Sequence, residues 1–126
     1  MKCPVHGQRL VHKKTTYGGR WHCTVEGCDI TWSGRKNTTP ADVTLRRARI
    51  AAHDAFDALW KPPTKIMTRP QAYEWLQEIL DMKPEEAHIG LFTRQECEVV
   101  VLAVQKYRKK CHAFKCHADN KRSRSD

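Results

Sequence analysis

Cys3-Pro4-Val5-His6 and Cys23-Thr24-Val25-Glu26-Gly27-Cys28, two short stretches with sixteen residues between them, decide how the first third of this chain folds. Each places two metal-ligand side chains at the ends of a tight turn. Three cysteines and one histidine make a common closed tetrahedral set for zinc, with no position left for water. The spacing therefore predicts a structural Zn2+ held by Cys3, His6, Cys23 and Cys28. Such a site builds shape and carries out no reaction. His12 and His22 compete for the same role, but Cys-x-x-His closes a knuckle, whereas adjacent residues on a strand point to opposite faces. A cluster of unliganded buried thiols is the other reading, and it needs an apolar core that so short a segment lacks. Metal binding of this type contributes about 10 kcal/mol or more, so the segment is expected to unfold without it.

The sequence around the knuckles fits that reading. Gln8 to Lys14 reads as a strand, Tyr17-Gly18-Gly19 as a turn, Arg20 to Cys23 as a second strand and Asp29 to Ser33 as a third. Together they make a zinc ribbon over residues 1–39.

Helix signals start directly after a polar bridge at Arg35 to Thr39. Thr39 is expected to cap a helix with Pro40 at its first position, and Leu45, Ala48, Ala52, Phe56 and Leu59 form its apolar stripe, ending near Trp60 before Pro62-Pro63. Arg46, Arg47, Arg49 and His53 then read as a solvated basic ridge paired with Asp42, Asp54 and Asp57. Thr68 with Gln71 starts a second helix that buries Ala72, Trp75, Leu76, Ile79 and Leu80. Pro84 opens a short helical turn through Ala87 that Gly90 terminates. Thr93-Arg-Gln-Glu96 is a capping box for a helix to about Lys110, with Cys97, Val100, Val101, Val104 and Tyr107 facing inward. The fold class predicted is α+β: a three-stranded zinc ribbon packed on or linked to a three- or four-helix bundle over residues 40–110, with a basic tail over 111–126.

At 126 residues, the 40% hydrophobic content supports one modest core. No apolar run approaches the roughly 18 residues that span a bilayer, and Met1-Lys2-Cys3 opens no signal peptide, so an intracellular, cytoplasmic protein is expected. Six cysteines among seven histidines suit metal binding in a reducing compartment better than a disulfide framework. The net charge of +9 is uneven: residues 1–39 carry +5, 40–60 are neutral, 61–92 carry −1 and 93–126 carry +5. Two basic ends flanking a neutral middle would attract nucleic acid or another polyanion, although many small proteins are basic only for solubility. The final Asn120 to Asp126 is expected to be disordered.

The order Cys-Pro-x-His, Trp-x-Cys and Cys, then Asn37-Thr-Thr-Pro40-Ala, Leu45-Arg-Arg-Ala-Arg, Ala52-His53-Asp-Ala-Phe56-Asp57-x-Leu59-Trp60, Arg69-x-x-Ala72-Tyr73-x-Trp75-Leu76 and His88-Ile89-Gly90-x-Phe92 resembles the zinc-finger-containing domain family of phage and bacterial genomes. The resemblance spans nearly residues 3 to 105 and implies metal ligands at Cys3, His6, Cys23 and Cys28. It departs from the family at position 6, where Cys is more usual and His remains an acceptable ligand. It implies no settled biochemical activity. His53 and His88 within it read as hydrogen-bonded structural histidines, and Cys97 as a small hydrophobe.

Beyond the resemblance, Cys111-His112-Ala-Phe-Lys-Cys116-His117 places four ligand-type side chains in seven residues. On a continuous helix Cys111 and Cys116 lie about 140° apart, while His112 and Cys116 share a face. A second site using Cys111, His112, Cys116 and His117 therefore needs the helix to break near Ala113. The competing reading, which we favour, extends the last helix and packs Phe114 down.

No nucleophile, base and open metal position come together in the sequence, and the acids Glu74, Glu78, Asp81, Glu85 and Glu86 follow helical surface spacing, so no enzyme is expected. The leading expectation is a phage-encoded nucleic-acid-binding protein in which Arg9, Lys13, Lys14, Arg20, Arg35 and Lys36 contact phosphates. Trp21, Trp32 or Tyr17 would stack on bases, although aromatic side chains on a ribbon more often pack its core. A helix-turn-helix variant would present Arg94 and Gln95 after the short Pro84–Ala87 helix. The alternative is a protein-binding adaptor or inhibitor docking on a host or bacterial machine such as a polymerase or defence complex.

Overall fold

The computed structural model describes residues 1–16 and 18–117, without the side chains of residues 15 and 111–117. The expected turn residue Tyr17, the tail beyond 117 and the side chains of Cys111, His112, Cys116 and His117 lie outside the described residues. Among the described residues a three-stranded antiparallel sheet is followed by three α-helices, an α+β arrangement. No helix described is long and apolar enough to cross a membrane.

β1 (Val11–Thr15), β2 (Gly18–His22) and β3 (Thr31–Trp32) pair in that order. The register sets His12 opposite Trp21, Lys13 opposite Arg20 and Trp21 opposite Trp32. Alternation puts His12, Trp21 and Trp32 on one face and Lys13 with Arg20 on the other. The strands are displaced from the sequence expectation because the knuckles use backbone groups a longer ladder would need. The Cys3 N–H donates to the Gln8 carbonyl (2.8 Å), the Leu10 N–H to Met1 (3.1 Å), and the Cys23 N–H to Ile30 (3.2 Å). Gly18 and Gly19, expected in the turn, belong to β2.

α1 (Val43–Trp60) starts three residues later than Thr39 and Pro40 suggest. Residues 39–41 stay outside the helix because Ala41 pairs with Thr31 at the sheet edge, its N–H donating to the Thr31 carbonyl (2.9 Å) and its carbonyl accepting in return (3.0 Å). Asp42 is the cap instead, its Oδ1 accepting the Leu45 N–H at 2.7 Å. Asp29 of the ribbon accepts the Val43 N–H at 3.1 Å, satisfying a second free donor of that helix end. α2 (Arg69–Leu80) carries the full Thr68/Gln71 capping box.

Residues 84–86 form a turn rather than the expected helix, and the chain then enters a single 3-10 turn at Ile89–Leu91. Gly90, expected as a terminator, lies inside it. A Cβ there would stand 2.7 Å from both the Asn37 carbonyl oxygen and the Thr38 methyl, so only glycine lets this turn close on the ribbon linker. α3 (Arg94–His117) has its capping box as read, the Thr93 N–H donating to Glu96 Oε1 (2.9 Å) and the Glu96 N–H to Thr93 Oγ1 (3.2 Å). It runs unbroken past Lys110. Without a short helix before it, the helix-turn-helix reading loses its first element.

The described residues form two buried cores. Ala52, Phe56 and Leu59 of α1, Ala72 and Leu76 of α2, Ala87, Ile89 and Phe92, and Cys97, Val100 and Val104 of α3 form one buried cluster. Cys3, Leu10, Cys23 and Ile30 form the other, flanked by Trp21, Val25, Cys28 and Trp32. Trp21 and Trp32 are half-buried packing residues here, and Trp32 Nε1 donates to Thr38 Oγ1 at 3.0 Å.

Two arginines join the cores, which corrects the reading of a solvated ridge. Arg46 Nη1 lies 2.9 Å from the Asp29 carbonyl, 2.8 Å from Thr31 Oγ1 and 2.8 Å from the Ala41 carbonyl. Arg49 donates through Nε to Phe92 O (3.1 Å), Nη1 to Thr39 O (2.9 Å) and Nη2 to Thr39 Oγ1 (2.7 Å). Their acceptors are carbonyls and hydroxyls of the ribbon, the linker and the loop before α3, not the aspartates of α1.

Candidate metal centre

The two knuckles face each other across the end of the sheet. In the first, the Gly7 N–H donates back to the Cys3 carbonyl at 2.8 Å, and Gly7 takes a φ of 71°; in the second, the Cys28 N–H donates to Val25 at 3.1 Å, and Gly27 takes a φ of 81°. Positive φ at both places is what lets each chain curl round its ligand side chains.

Cys3 Sγ, His6 Nδ1, Cys23 Sγ and Cys28 Sγ all lie within 4.8 Å of one another. Cys3 Sγ stands 3.6 Å from His6 Nδ1 and 3.9 Å from Cys28 Sγ, and Cys23 Sγ stands 3.6 Å from His6 Nδ1. A tetrahedron with Zn–S of about 2.3 Å and Zn–N of about 2.0 Å has S–S edges of about 3.8 Å and S–N edges of about 3.5 Å. The Cys3–His6, Cys3–Cys28 and Cys23–His6 distances match those edges, and all four cysteines with described side chains are free of disulfides. Neither His12 nor His22 joins the group: His12 packs edge-on to Trp21, and His22 Nε2 is buried without a partner.

The acidities of the sulfurs are pulled apart. Burial pushes the Cys3 thiol up, but the backbone groups of His6 and Val5 and the side chains of His6 and Cys23 outweigh it and hold it down at about 6. The Ile30 backbone pulls Cys28 down, yet desolvation and the neighbouring sulfurs of Cys23 and Cys3 push it up to about 11. Three sulfurs this close resist carrying three negative charges, and a divalent cation among them removes that resistance.

The basic residues of the ribbon are placed more loosely. Arg9, Lys13, Lys14, Arg20, Arg35 and Lys36 are all exposed. Lys13 and Arg20 stand side by side across β1 and β2, while Lys14, opposite Gly19, points to the other face. Arg20 and Arg35 line a cleft between the ribbon and α1. His53 lines it too; it is exposed and makes no side-chain hydrogen bond among the described residues, contrary to its reading as a structural histidine. Sequence reasoning missed this cleft and the Arg46 and Arg49 contacts that build it. Their spacing at i, i+3, on the same face of α1 as His53, was the available signal.

A family model described as a zinc-finger-containing domain matches residues 3–114. No curated protein and no solved structure matches the chain.

Proposed function

Because the chain belongs to the zinc-finger-containing domain family, we propose that Cys3, His6, Cys23 and Cys28 hold one structural zinc, and that the ribbon it fixes is a non-catalytic, cytoplasmic nucleic-acid-binding surface. The observation that carries the second half is Lys13 directly opposite Arg20 with both side chains exposed. Like charges facing each other across an antiparallel pair destabilise a sheet, and a phosphate between them reverses the sign of that interaction. Zinc supplies no reaction in this closed set; it orients the hairpins that carry the cations.

Salt dependence tests the reading. Affinity for a mixed-sequence single strand or duplex is expected to fall linearly with log salt, and Lys13→Glu/Lys14→Glu is expected to weaken binding and flatten the slope. Undetectable binding at ~50 mM salt would reject it.

One observation favours the adaptor reading instead. A groove between α1 and α3 is lined by Ala48, Ala51, Cys97, Val101 and Leu102, with Thr44, Arg94 and Glu98 beside them and Leu102 57% exposed. Apolar surface of that kind suits a protein partner. Co-purification of one protein with the wild type and its loss in Leu102→Glu would support the adaptor.

A further inference from the structure

The cleft at the junction of ribbon and helices has a volume of about 430 Å3, within the range of sites that take a small ligand. Arg20 and Arg35 reach it from the ribbon side, Arg46, Arg49 and His53 from α1, and among the described residues no carboxylate lines it. Five cationic or protonatable side chains around one concavity, without an acid among them, concentrate positive potential there.

The two innermost arginines are fixed before any ligand arrives. Arg46 spends Nη1 on three neutral acceptors, and among the described residues no protein acceptor meets its Nε or Nη2. Arg49 is held by three neutral acceptors as well. Carbonyls and hydroxyls orient a guanidinium but leave its charge unneutralised, and burial pushes the pKa of Arg49 down more than the neighbouring Cys97 sulfur pulls it up. A phosphate supplies that charge and matches the fork geometry of arginine. At the edge of the same cleft lie Ile50, 60% exposed, and half-buried Trp32, which offer apolar surface to a sugar or base.

We propose that this cleft is a phosphate site of nucleotide size, in which Arg46 and Arg49 form the floor, Arg20 and Arg35 close over the phosphate oxygens, and Ile50 and Trp32 contact the attached nucleoside. The phosphate comes either from a nucleic-acid strand, which deepens and rests on the reading above, or from a free nucleotide, which does not need it.

The test uses the whole metal-loaded protein and calorimetric titration with three probes: a 5′-phosphorylated single-stranded octanucleotide, its 5′-hydroxyl twin, and AMP. Arg20→Gln/Arg35→Gln removes two exposed cleft cations and leaves the Arg46 and Arg49 contacts in place. Arg47→Gln/Lys106→Gln removes the same charge from exposed positions away from the cleft. The cleft variant is expected to lose about tenfold or more in affinity and the charge-matched variant about threefold or less. Equal losses in the two variants would overturn the cleft while leaving the nucleic-acid reading intact. AMP bound as tightly as the strand, with the same variant pattern, supports the cleft with a free nucleotide as its source and counts against the strand. No binding of any probe by the wild type would overturn both.

Discussion

The ribbon and the helical bundle are held by different forces, although one short chain makes both. Eleven buried residues from three helices and the connecting loop pack against one another in the bundle. Among its described residues the ribbon buries four, and two of those, Cys3 and Cys23, belong to the cluster of donor atoms that could hold a metal ion. Hydrophobic burial therefore suffices for one region and not for the other. The difference teaches where the proposed metal would act: in a sheet too small to exclude water, coordination can take the place of a missing core.

The strongest way to break that contrast is to remove the ion. Cys23→Ser, or a chelator on the wild type, is expected to abolish stoichiometric zinc and unfold residues 1–39 while far-UV helical signal largely survives, a loss on the order of 10 kcal/mol confined to one region. Amide NMR or limited proteolysis reads it, and a ribbon still protected without metal would contradict it. Acid acts in the same direction. The Cys3 thiol is lowered to about 6 in the fold by hydrogen bonds that outweigh the upward push of burial. Its contribution is thus present above its ordinary range and lost as pH falls through about 6, and bound zinc moves the loss lower still. Zinc release followed by a colorimetric chelator is expected at or below about pH 6, not near neutrality.

The converse change belongs to the bundle. Phe56 is fully buried and packs edge-on to Tyr73 with ring centroids 4.9 Å apart. Phe56→Ala is expected to cost about 3–5 kcal/mol in urea unfolding followed by helical signal, while zinc stoichiometry in native buffer is unchanged. Thiol chemistry sharpens the same comparison. Burial pushes the Cys97 thiol up, more than neighbouring Arg49 pulls it down. Stability from that thiol is present below its ordinary range and declines as pH rises beyond it. Peptide mapping after alkylation at pH 8 is expected to show Cys3, Cys23 and Cys28 reacting once a chelator is added, and Cys97 only after denaturant.

A smaller effect separates the regions from their seam. Arg46→Met removes the Nη1 group shared by the Asp29 carbonyl, Thr31 Oγ1 and the Ala41 carbonyl and is expected to cost about 1–3 kcal/mol, seen as faster exchange at Thr31 and Ala41. The smallest is Thr93→Ala, which removes the α3 cap for about 1 kcal/mol and leaves the ribbon untouched.

Local chemistry was legible in the sequence wherever a side chain acts on its own neighbours. The capping boxes at Thr68 and Thr93 and the apolar stripes of the helices needed nothing from afar. The knuckle spacings were equally plain, since each joins residues three to five apart. What sequence hid depends on long-range pairing. Thr39 and Pro40 carry good helix-start chemistry, but the sheet edge at Thr31 captures Ala41 and moves the start to Asp42. Arg46 and Arg49 read as surface cations because their partners, backbone carbonyls up to 43 residues away, have no sequence signature. Gly90 read as a helix stop because the approach of Asn37 and Thr38 is a tertiary fact.

X-ray absorption at the zinc edge tests the metal-held ribbon most directly, on Cys111→Ser/Cys116→Ser protein so that no other paired thiols contribute. We expect one zinc per chain with three sulfurs at about 2.3 Å and one imidazole nitrogen at about 2.0 Å. Folded ribbon without zinc, or zinc bound by fewer than three sulfurs, would contradict it.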